Sequence, residues 1–103
     1  MTGCFTDNAD RALKGAHIRI HENAYAGFLQ CARKANEDKS AGFCIQAGSH
    51  CFVPTPGATA AELFAEASSK GQAAFDCDAN GFGSGYINAC YQFETAEDVV
   101  YYD

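Results

Sequence analysis

"AGFCIQAGSHCFV", residues 41–53, decides the fold class. Side chains alternate along an extended chain, so Phe43 and Ile45 share one face and Cys44 and Gln46 the other. Gly48 and Ser49 supply a turn, and the run from Cys51 to Val53 returns as a second strand. So short a connection joins antiparallel neighbours, because a parallel crossover needs a dozen residues or so. "PTPG", residues 54–57, then breaks the chain.

On the N-terminal side, "GCFTDNADRAL" (3–13) opens as a short strand and passes into a polar turn. "AHIRIHENA" (16–24) alternates again, with Ile18 and Ile20 opposite His17, Arg19 and His21, and reads as a strand. Asn23 caps a helix in which Tyr25, Phe28, Leu29 and Ala32 recur at helical spacing, with Cys31 beside that stripe. On the C-terminal side, "TAAELFAEASSKG" (59–71) carries a capping box, Thr59 with Glu62. Leu63, Phe64 and Ala67 supply the apolar face of that second helix, and Gly71 ends it. "QAAFDC" (72–77) and "YINACYQF" (86–93) read as strands, the latter with Ile87, Ala89, Tyr91 and Phe93 on one face. The strands are too closely linked for crossover units. The prediction is an α+β domain: one antiparallel sheet with a helix packed on it, a second short helix, and disulfides.

A chain of 103 residues fits one domain. Its six cysteines are scattered, the nearest pair seven positions apart, with no CxxC of the kind structural zinc sites use. Three disulfides and a secreted protein are the better reading. The net charge of −6 comes from thirteen acidic against seven basic residues, without a Lys/Arg run, which disfavours nucleic-acid partners and anionic membranes. No apolar run is long enough for a membrane span. The opening Met1-Thr2-Gly3-Cys4 lacks signal-peptide character and reads as a start methionine on a mature chain.

The opening "GCFTDNADRAL", a cysteine-bearing helix, "AGFCIQAGSHCF", and then "DC" followed by "NGFGSGYINACYQF" form a recognisable series. From Gly3 to Phe93 it resembles the WSC and PAN/apple-like extracellular domains. That resemblance defines a domain over 1–93 and leaves 94–103 as an acidic, β-prone tail without a counterpart, either an extra edge strand or an interaction surface. It places the four recurring cysteines of the family on Cys4, Cys31, Cys51 and Cys77, with Cys44 and Cys90 as an added pair. Of the fifteen connectivities that six cysteines allow, it implies Cys4–Cys77, Cys31–Cys51 and Cys44–Cys90. His50 stands where the family often has Glu, and the capped helix around Leu63 replaces a shorter segment. The resemblance implies a secreted, non-catalytic module that recognises glycans or partner proteins. The rival expectation is a structural protein that associates with its own copies through the tail.

"DCDANGFGSGYIN" (76–88) carries the candidate site. Oxygen-bearing side chains at alternate positions suggest calcium on Asp76, Asp78 and Asn80, but the twelfth position, where an EF-hand needs Glu, holds Ile87. A plain glycine-rich turn is preferred, with a loose calcium site as the alternative and no other cofactor expected. Phe82 and Tyr86 beside Asp78, Asn80 and Asn88 combine aromatic faces with hydrogen-bonding groups, as a sugar-binding rim does. His17, His21 and His50 read as solvent-facing residues, since His17 and His21 are too far apart on a strand to hold one ion. Scattered acidic residues and disulfide-committed cysteines give no catalytic set.

Overall fold

The computed structural model describes residues 3–21, 23–71 and 86–93. The expected strand at 72–77, the Cys4–Cys77 pairing, the 76–85 part of the candidate loop and the tail 94–103 lie outside the described residues.

The described chain is an α+β domain. Its strands are β1 (Gly3–Thr6), β2 (His17–Arg19), β3 (Gly42–Gln46), β4 (His50–Phe52) and β5 (Ile87–Gln92), and its helices are α1 (Ala24–Glu37) and α2 (Ala60–Ala67). All strand pairs are antiparallel, in the order β1-β5-β3-β4-β2. The 41–53 stretch forms the hairpin at the centre of this sheet, with Gln46 opposite His50 across a three-residue loop. Ala47 and Gly48 both adopt positive φ there, which tightens the turn.

Each face of β3 meets a different helix, so all five of its residues are buried. On one face Phe43 and Ile45 pack with Cys31, Ala32 and Ala35 of α1, and Phe28 sets its ring edge-on to Phe43 and Tyr91. On the other face Cys44, Phe52 and Cys90 pack with Leu63 and Ala67 of α2 and with Phe5 and Leu13. The sheet is therefore the middle of three layers, although the alternation in 41–53 predicted a helix on only one side.

The caps form as the sequence predicts. Asn23 accepts a hydrogen bond from the Ala26 amide, and Thr59 and Glu62 satisfy each other's backbone N–H groups. The buried stripe of α1 differs. Tyr25 is 73% exposed, while Gly27, Cys31, Ala32 and Ala35 turn inward. A side chain at Gly27 would lie 2.4 Å from the His21 carbonyl oxygen, so small residues let the helix sit close to the chain it covers. In α2, Leu63 and Ala67 are buried as expected, but Phe64 is 59% exposed and stands T-shaped to Phe5. The strand expected over 16–24 shortens to His17–Arg19, since beyond it Ile20 donates to Ser49 at the hairpin turn.

Two disulfides join described residues. Cys31–Cys51 ties α1 to β4, and Cys44–Cys90 joins directly opposed residues of β3 and β5. Such bonds form in an oxidising compartment.

Candidate functional site

The polar turn after β1 is organised by one carboxylate. Asp7 accepts from the Asn8 and Ala12 amides, both at 2.8 Å, and its other oxygen accepts from Gln46 Nε2 at 2.9 Å. The same oxygen faces Arg11 Nη1 at 3.4 Å. Gln46 in turn donates to Asn88 Oδ1 at 3.0 Å and accepts from Arg11 at 3.2 Å. The Asp7 amide donates to the Tyr86 carbonyl at 2.9 Å. A buried network therefore joins the turn, β3 and the start of β5, and its one partly exposed member is the Arg11 side chain.

Held by that network, the Arg11 guanidinium lies 5.0 Å from the centre of the Phe52 ring and 5.3 Å from that of Tyr86. At these distances each ring attracts the cation. His17, directly opposite Phe52 in the β2–β4 ladder, stacks on it with ring centres 4.2 Å apart. His17 Nε2 and His50 Nδ1 are 3.1 Å apart, a hydrogen bond between two imidazoles. Arg19 stands opposite His50 in the register. One face of the sheet thus carries a continuous series of rings and cations, Tyr86, Arg11, Phe52, His17 and His50, with Arg19 beside its far end. Its charged members are Arg11, which Asp7 engages, and Arg19.

Partial burial lowers the His17 pKa below the ordinary 6.5, and His50 and Arg11 lower it further against the opposing pull of Asp7. His50 is lowered first by its own desolvation and then by Arg19 and Arg11. Both rings are neutral near pH 7 as a result.

No family model, curated protein or solved structure matches the chain. The site therefore stands on its own geometry.

Of the expected rim residues, Tyr86 is half-exposed and has a positive φ of 55°. Asn88 is fully buried, and its Oδ1 accepts from Gln46. Asp76, Asp78, Asn80 and Phe82, and with them the calcium expectation, lie outside the described residues. His17 and His50 come together across 33 residues of sequence, while His21 is exposed and elsewhere, its amide taken by Gln30. Among the described residues no three His, Cys, Asp or Glu side chains converge as a metal site. Arg11 and Gln46 were missed as site residues. Gln46 carried a signal, since a polar side chain on the same strand face as Cys44 needs a partner once that face is covered.

Proposed function

We propose that the protein is a secreted, non-catalytic recognition module of the WSC or PAN/apple type and that it binds carbohydrate on the Tyr86 face. Tyr86 carries the proposal: one half-exposed ring, with the Arg11 guanidinium over it, offers sugar an aromatic platform. Arg11, His17 and His50 flank the platform with hydrogen-bonding groups, and the buried Asp7–Gln46–Asn88 network holds the arrangement before ligand arrives. Preorganisation of that kind lowers the entropic cost of binding. The two disulfides support an extracellular location. No helix among the described residues is long and apolar enough to cross a membrane. The assembly reading depends on residues 94–103, and no observation on the described residues favours it.

The test is a glycan array followed by calorimetry on the wild type and on Tyr86→Asn. Asn tolerates the positive φ that Tyr86 adopts, so the backbone is preserved while the ring is removed. The expected result is a loss of about tenfold or more, on the scale of one aromatic contact, with an unchanged melting curve. Undiminished glycan binding by the variant would remove Tyr86 from the site.

A further inference from the structure

The histidine pair has a property that the aromatic platform lacks. Of its four ring nitrogens, His17 Nε2 and His50 Nδ1 face each other at 3.1 Å. His17 Nδ1 and His50 Nε2 make no hydrogen bond to a described residue. When both rings are neutral they carry two N–H groups, one of which lies in the shared bond. Whichever tautomer is present, the two remaining nitrogens are then one donor and one acceptor. Such a pair suits a sugar hydroxyl, which itself donates and accepts. Adding one proton leaves the shared bond intact and makes both remaining nitrogens donors, now with a positive charge. Two donors and a charge suit an anionic oxygen acceptor.

From this geometry we infer that the His17–His50 pair is a proton-gated subsite for an acidic group on the glycan, a carboxylate or a sulfate ester. The inference rests on the carbohydrate reading above and names the class of sugar. The surrounding charges agree with it. Among the described residues, Arg11 from the turn after β1 and Arg19 from β2 are the cations acting on the pair, and Asp7, already engaged by Arg11 and Gln46, is the one carboxylate acting on His17. Both guanidiniums favour an anion and oppose protonation while the site is empty. An arriving anion offsets that repulsion, so a proton and the acidic group bind together. Only one proton is required, because a second would break the bond between the rings.

The experiment is calorimetry of the full chain between pH 8 and pH 5.5 with three probes. Hexagalacturonate offers carboxylates, a κ-carrageenan tetrasaccharide offers sulfate esters alone, and laminarihexaose is neutral. The expected result is that affinity for at least one acidic probe rises as pH falls, approaching tenfold per pH unit for one linked proton. The neutral probe, if bound, shows no such rise. Whichever acidic probe responds identifies the group. The double variant His17→Gln/His50→Gln removes both rings that could take the proton and should flatten the pH dependence for the acidic probe, the readout being the slope of affinity against pH and not the affinity itself. In the wild type, ring NMR signals of the pair should titrate at higher pH with the acidic probe bound than without it. Equal binding of acidic and neutral probes at every pH, or a pH dependence that survives His17→Gln/His50→Gln, would overturn the inference and leave the carbohydrate reading standing. Binding of none of the probes, together with an empty glycan array, would overturn both.

Discussion

Asp7 is wholly buried as a side chain and accepts from two backbone amides, Gln46 and Arg11. Replacing it with Ala removes the acceptor of all four donors, two of whose bonds, from the Ala12 amide and Gln46, are buried. The expected cost is about 3–5 kcal/mol, the range for breaking a buried charged network by removing one partner. Asp7→Asn should cost less, because one amide oxygen still serves Asn8 and Ala12. Urea unfolding measures both, and a loss below about 1 kcal/mol for Asp7→Ala would show that the network contributes little. The histidine pair makes a second prediction at this scale. Its folded pKa values are depressed, so below 6.5 the unfolded chain binds more protons than the folded one. Stability is therefore full above pH 6.5 and lost as pH falls through the folded values. A melting-temperature series from pH 7.5 to 5 should decline more steeply for the wild type than for His17→Gln. Neither cluster was legible in the sequence. Gln46 reaches Asp7 across 39 residues and Asn88 across 42, and no local pattern records which polar side chains meet over such spans. Tyr86 was singled out from its glycine-rich, polar surroundings, a local pattern read without reference to tertiary contacts.

Helix starts and strand faces are set within a few residues, and these the sequence disclosed. The Asn23 cap and the Thr59–Glu62 box are local hydrogen bonds between near neighbours. Alternation likewise sorted Phe43 and Ile45 from Cys44 and Gln46 correctly. It did not say that both faces would be covered, since a strand flanked by two helices can carry cysteine and glutamine where solvent-facing residues are expected. The inward stripe of α1 was misjudged for a related reason. Size favoured Tyr25 and Leu29, but close approach to the chain after β2 favours Gly27, and close approach to the sheet favours Cys31 and Ala35. β3 supplies the sharpest prediction for an element. A Cβ on Gly42 would lie 2.0 Å from the Tyr91 carbonyl oxygen and 2.8 Å from Leu63 Cδ2. The backbone oxygen cannot yield without opening the β3–β5 ladder. Gly42→Ala should therefore destabilise by about 3 kcal/mol, the upper end of ordinary overpacking, against about 1 kcal/mol for Thr59→Ala at the cap. Denaturant midpoints of the two variants rank them directly, and the reverse order would contradict this account of the α2–β3 contact.

At the scale of the molecule, the two described disulfides do different mechanical work. Cys31–Cys51 fastens the helix on one face to β4 across 20 residues, and Cys44–Cys90 fastens the two central strands across 46. Closing loops of these lengths removes chain entropy from the unfolded state worth about 3 and about 4 kcal/mol respectively. The loops overlap in sequence, so the two contributions are not independent and together amount to less than their sum. Even so, they are comparable with the whole stability of a small domain, about 5–15 kcal/mol. The layers around the sheet are thin: α1 contacts it through alanines, a cysteine and the Phe28 ring, and α2 buries only Leu63 and Ala67. Covalent closure compensates for that modest core. Reduction should consequently unfold the protein near room temperature, whereas the Cys31→Ala/Cys51→Ala variant, retaining the central bridge, should remain folded with a lower melting temperature. Circular dichroism of the oxidised, reduced and variant chains separates these outcomes. A fully reduced chain that melts cooperatively within a few degrees of the oxidised one would mean that packing across the two faces of β3 suffices by itself.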